Sequence, residues 1–194
     1  NMQPDWIWIK KRNGAADSSL MDVVRGVRKS LSSNSTIADY TESSGLSAFD
    51  TNGFSFDGTG YNHVNTNSDT FAAWTWKAGG SASSNGDGSI TSSVSVNTTA
   101  GFSIVSYTGT GSNATVGHGL GVAPKFIIVK NRDDASKSWV TQITVLGNNY
   151  LELNNTNATF SGSTYFNNTA PTSSVFSVGT VGSTNASSDD FIAY

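Results

Sequence analysis

Apolar residues in this chain come in short runs set between turn-forming residues, which is a pattern of strands. Phe102, Ile104, Ser106 and Thr108 alternate with Ser103, Val105 and Tyr107, bounded by Gly101 and Gly109-Thr110-Gly111. This spacing predicts a strand with two distinct faces. Phe126 to Val129 is a continuous apolar run, as in a strand covered on both faces. Trp6-Ile7-Trp8-Ile9 reads the same way, with Trp6 and Trp8 on one face and Ile7 and Ile9 on the other. Ala48-Phe49 and Phe54-Ser55-Phe56 flank Asp50-Thr51-Asn52-Gly53, a hairpin signal. A strand over Phe71 to Trp76 follows.

One segment has the wrong period for a strand. Leu20, Val23, Val24, Val27 and Leu31 follow helical spacing, with Asp17 or Ser18 placed to cap. An internal match decides the reading. Pro4-Asp5-Trp6-Ile7-Trp8-Ile9-Lys10-Lys11-Arg12 answers Pro124-Lys125-Phe126-Ile127-Ile128-Val129-Lys130-Asn131-Arg132. Gly26 answers Gly147, Asn34-Ser35-Thr36 answers Asn154-Asn155-Thr156, and Phe54-Ser55-Phe56 answers Phe176-Ser177-Val178. Ser68-Asp69-Thr70-Phe71-Ala72-Ala73-Trp74 answers Ser188-Asp189-Asp190-Phe191-Ile192-Ala193-Tyr194. The helix-like segment thereby matches Trp139 to Leu146, which is dominated by β-branched residues. Both are read as strands, with a helical turn near Met21 to Arg25 as the competing reading.

The expected fold is all-β: two tandem β-sandwich repeats of jelly-roll type, the first lacking its leading strands. Residues 1–78 form the incomplete first repeat, 79–99 a Gly/Ser/Asn-rich linker, and 100–194 the second repeat. Nothing before Pro4 corresponds to Phe102–Gly109, and the last matched residue is Tyr194, so both ends are expected to be cuts within a longer protein. The first unit's edge then needs cover, either from strand 102–109 or from a neighbouring subunit.

Composition narrows the class. Charged residues are only 13% while aromatics reach 11%, so a core exists beneath an uncharged surface of Ser, Thr, Asn and Gly. Net charge is −3 and no basic stripe runs along the chain, which argues against nucleic acid as a partner. Arg25, Arg28 and Lys29 are read as a short solvated rim. The absence of cysteine excludes disulfides and thiolate metal sites. No apolar run is long enough for a membrane-spanning helix, and Asn1 to Asp5 lacks a signal-peptide pattern.

No residue set points to catalysis, a cofactor or a metal. His63 and His118 sit in Gly/Asn-rich loops without a nucleophile elbow, and are read as turn or rim residues. The acidic residues lie mostly in turn-forming loops, so a glycosidase pair is not expected. Asn85-Gly86-Asp87-Gly88-Ser89 lacks the further carboxylates of a calcium loop. Trp6, Trp8, Trp74 and Trp76 lie on strands and are assigned to the core. Trp139 and Tyr61, with polar neighbours, are the candidates for exposed aromatic contacts with a glycan.

Several strings, taken in order, resemble a known family. They are Pro4-Asp5-Trp6-Ile7-Trp8-Ile9-Lys10, Asp22-Val23-Val24-Arg25-Gly26, Asp87-Gly88-Ser89-Ile90-Thr91-Ser92, and Ala100-Gly101-Phe102-Ser103-Ile104-Val105-Ser106-Tyr107. Gly117-His118-Gly119-Leu120-Gly121-Val122-Ala123-Pro124-Lys125 and Ala170-Pro171-Thr172-Ser173-Ser174-Val175-Phe176 complete the set. Together they resemble the tandem β-sandwich repeats in large structural tail and fibre proteins of marine tailed bacteriophages. The resemblance implies a non-enzymatic virion module that spaces or contacts the host surface, located on the virion or outside the cell. Its implied partners are other virion proteins and a host surface glycan, with a homotrimer as the expected assembly. A lectin-like carbohydrate-binding module is the alternative, and a glycan hydrolase fragment the more distant one.

Overall fold

A computed structural model describes residues 2–60 and 64–194. Its first strands are β1 (Trp6–Lys11), β2 (Ser19–Asp22), β3 (Lys29–Ser32), β4 (Tyr40–Thr41), β5 (Leu46–Asp50), β6 (Gly53–Phe56) and β7 (Phe71–Trp76). Then come β8 (Ser83–Asn85), β9 (Ser92–Asn97), β10 (Phe102–Thr108), β11 (Ala114–Gly117), β12 (Phe126–Asn131), β13 (Val140–Ile143), β14 (Asn149–Glu152) and β15 (Phe160–Ser161). The single-turn helix α1 (Ser163–Phe166), β16 (Val175–Val178), the single-turn helix α2 (Gly182–Asn185) and β17 (Asp190–Ala193) complete the chain. The fold is all-β and of sandwich class.

Two large antiparallel sheets carry the architecture. One has the order β4-β3-β2-β1-β7; the other runs β15-β14-β13-β12-β17-β10-β9-β8. The first order and the opening five strands of the second follow one path through the chain. Registers coincide as well. Trp6 lies opposite Asp22 and Phe126 opposite Ile143, while Ile9 faces Ala73 and Val129 faces Ala193. Leu20 pairs with Leu31 and Thr141 with Leu151; Ser30 pairs with Tyr40 and Tyr150 with Phe160.

Strand alternation sorts the core into three layers between four sheets. On β1, Ile7 and Ile9 point toward the β5–β6 hairpin and pack with Met21, Leu46 and Val64. Trp6 points the other way, onto Leu20, Leu31, Ile104, Ile128, Trp139, Ile192 and Tyr194. That middle layer joins the two large sheets face to face. Beyond it, Val105, Tyr107, Ile127, Val129, Phe176 and Phe191 fill the space under the β11–β16 ribbon. A continuous apolar run such as Phe126–Val129 is what a strand covered on both faces requires.

The covers over the two outer faces are built differently. In the second half β16 pairs with β11, from the leading segment. In the first half β6 instead pairs with β5, through a two-residue turn between Asp50 and Gly53. The place that β10 fills beside β17 has no counterpart beside β7.

Two expectations need correction here. Residues 79–99 are not a free linker. They carry β8 and β9, which extend the larger sheet, and Ile90 and Val94 are buried in its core. The Ser-rich composition misleads because β9 alternates, with Ser93 exposed between buried Ser92 and Val94. The helix-like segment is a strand that ends in a turn: β2 stops at Asp22, and Gly26 N–H donates to the Asp22 carbonyl at 3.0 Å. Its counterpart β13 likewise runs into a 3₁₀ turn over Thr144–Leu146.

Candidate functional site

The middle layer does not close at one end. A cavity of about 460 Å³ opens there between the sheets, lined by Trp6, Trp8 and Trp76 on one side. Phe102, Phe126 and Tyr194 line the other, with His118 and the 120–125 loop at its rim. The rings are close packed: Trp6 lies 4.4 Å from Trp76, 4.5 Å from Tyr194 and 5.5 Å from Phe102 between centroids. Offset and tilted aromatic contacts at these distances hold the wall rigid. Toward solvent the apolar surface continues through Phe126 and Val122, which are 49% and 61% exposed. Trp74 meets Trp8 edge-on at 6.5 Å and is 52% exposed. Trp6 Nε1 is buried and meets no acceptor among the described residues.

His118 belongs to this wall rather than to a solvated rim. It is buried; Leu120 N–H donates to Nδ1 at 3.1 Å, and Nε2 lies 3.2 Å from the Thr172 carbonyl. Since Nδ1 accepts, Nε2 carries the proton and donates to Thr172. Burial holds the ring's pKa below its ordinary value, against smaller opposing effects of Thr172 and Asp87. A neutral imidazole with both nitrogens engaged is an orienting group for the 118–120 turn.

Behind the cavity, a buried charge network ties the two halves together. Tyr194 Oη donates to Asp22 Oδ2 at 2.7 Å, and Arg25 Nε donates to the same oxygen at 2.6 Å. Arg25 also reaches Asp39 Oδ1 at 3.1 Å, and Arg132 donates to Asp39 Oδ2 at 2.8 Å. Asp22 is held in place by accepting from the Val24 and Arg25 amides. Burial alone would lower the Arg25 pKa, but Asp22, Tyr194 and Asp39 together outweigh it and raise it. Burial pushes the Tyr194 phenol well above its ordinary value. Arg25 is therefore a correction: expected in a solvated rim, it is fully buried, because its i,i+3 partner Asp22 and the cross-half partner Asp39 replace water.

The aromatic expectations are largely inverted. Trp139 is fully buried and cannot present a face to a sugar. Its Nε1 donates to the Ser32 and Ser35 carbonyls of the other half at 2.9 and 3.1 Å. Its polar sequence neighbours alternate away from it, so they carried no information about its own exposure. Tyr61 and His63 lie outside the described residues. Of the tryptophans assigned to the core, Trp6 is buried, Trp8 and Trp76 are half-buried, and Trp74 is exposed. Trp74 occupies the position that Tyr194 holds in the matching strand, where exposure is 9%. The signal for its exposure was the missing counterpart of β10.

Among the described residues there is no group of His, Cys, Asp or Glu fit to hold a metal ion, and no helix is long and apolar enough to cross a membrane. No curated protein and no solved structure matches the chain. A family of domains does match, over residues 1–194. The chain therefore belongs to the family described as Domain of unknown function (DUF7483).

Proposed function

We propose that this domain is a non-enzymatic structural and adhesion module of a phage virion, part of a tail fibre or tail-associated protein. In this reading its two sandwiches are tandem copies of one unit, and the domain spaces or contacts the host surface. The observation that carries the proposal is the shared middle layer. Two sheets of matching order are fused through one aromatic core and a buried Asp22–Arg25–Asp39–Arg132 network, as a stiff spacer requires. The resemblance of its ordered motifs to virion repeat proteins supplies the location. Antibody against the domain, gold-labelled on intact particles, should decorate the tail or its fibres; label confined to host lysate would overturn the assignment. Homotrimeric assembly is part of the same reading, and a monomeric sedimentation coefficient would remove it.

A carbohydrate-binding role is the second reading, favoured by the aromatic rim of Trp8, Trp74 and Phe126. Sugar rings stack on such exposed faces. On a glycan array, saturable binding that Trp74→Ala and Trp8→Ala each weaken at least about tenfold would establish it. Binding unaffected by either change would dismiss the rim as the contact.

A further inference from the structure

We propose that the free edge of β7 is a strand-docking site, completed by an extended segment from outside residues 1–194 with the alternating chemistry of β10. In the larger sheet β17 is sandwiched between β12 and β10, with Ala193 opposite Val105 and Phe191 opposite Tyr107. β7 holds the matching place beside β1 in the same register, yet nothing among the described residues pairs with its other side. Arg12 N–H donates to the Thr70 carbonyl, so the even-numbered residues of β7 bond to β1. By antiparallel alternation, the N–H and C=O groups of Phe71, Ala73 and Thr75 face outward.

Burial marks the same vacancy independently. Ala193 is 1% exposed and Tyr194 9%, but their counterparts Ala73 and Trp74 are exposed, Trp74 at 52%. The edge has none of the features that usually protect one: no proline, lysine or bulge interrupts Phe71–Trp76. An incoming strand would place residues of Val105 and Tyr107 type opposite Ala73 and Phe71, against the half-buried phenylalanines of the β5–β6 layer. Its intervening residues would lie beside Trp74. This is recognition by strand addition, in which backbone bonds give affinity and alternate side chains give selectivity. It does not depend on where the domain sits in a particle.

The test is amide hydrogen exchange on the whole chain with a synthetic peptide of residues 100–111. Saturating peptide should slow exchange at Phe71, Ala73 and Thr75 by about tenfold or more, leave Ala72 and Trp74 amides unchanged, and blue-shift Trp74 fluorescence. A scrambled peptide should do neither. Ala73→Pro removes one outward N–H without touching a bond to β1, and should abolish the effect. Ala73→Asp keeps that N–H but sets a carboxylate against the apolar position, and should abolish it too. Unchanged exchange at the three amides would overturn the proposal. So would their protection in peptide-free protein sedimenting as a dimer, which would make the occupant a second copy.

Discussion

Asp39 accepts from two guanidinium groups at once, one from each half of the chain. Removing its charge leaves Arg25 and Arg132 short of a counter-ion at a buried site, a loss of about 3 kcal/mol. Asp39→Asn should therefore lower the urea midpoint with little change in slope. Lys130 shows the opposite economy. It is fully buried with only the Asn131 carbonyl as hydrogen-bond partner, and burial holds its pKa down to about 8 against the pull of Asp134 and Asp39. A free lysine titrates near 10.4. Above pH 8 the folded protein releases a proton that the unfolded chain still binds, so stability should rise between pH 8 and 10, by about 2 kcal/mol. Beyond pH 10 the buried phenols of Tyr107 and Tyr194, held protonated by the fold, reverse the trend. Lys130→Met should be more stable at pH 7, by about 2 kcal/mol, and flat across pH 8 to 10 in chemical denaturation. His118 works on the acid side. Its folded pKa is lowered, so below pH 6.5 the unfolded chain takes up the proton first and stability falls; His118→Gln should remove that part of the slope.

At the scale of elements, the segment 79–99 is pinned by close backbone approach as well as by strand pairing. A Cβ at Gly79 would sit 2.5 Å from the Val96 carbonyl oxygen, whereas one at Gly86 would meet nothing within 4 Å. Gly79→Ala should cost about 2 kcal/mol by thermal unfolding and Gly86→Ala almost nothing. If the segment were a slack connector, the two would be alike. Strand positions in this protein were legible from sequence because each apolar residue on a strand has a definite face. The hairpin at Asp50–Gly53, the two faces of β1 and the strand nature of β2 and β13 all follow from period and from the internal match. What pattern could not carry is whatever depends on a distant neighbour. Trp139 is buried because Ser32 and Ser35 come to it, and Arg25 because Asp39 does. Trp74 is exposed because no strand arrives. Each was misread from neighbours in sequence, and each is decided by neighbours in space.

Across the whole molecule, the middle layer makes the halves interdependent. Trp6, Leu20 and Leu31 come from one half, and Ile128, Trp139, Ile192 and Tyr194 from the other. Each fully buried side chain of this kind contributes about 2 kcal/mol, so neither half keeps its core if the other opens. Tryptophan fluorescence and far-ultraviolet dichroism should therefore trace one coincident unfolding transition; two separated transitions would show that the halves are independent. The contrasting covers bear on time rather than on stability. The β5–β6 hairpin closes through a two-residue turn, while β11 must find β16 roughly sixty residues further along. Closing the longer loop costs more chain entropy, by about 3 kcal/mol on a logarithmic length dependence. One flank of the protein can thus be roofed within microseconds of its turn leaving the ribosome. The other must wait for most of the chain to be synthesised, and until then the underside of β12 is where a nascent chain is open to misassembly.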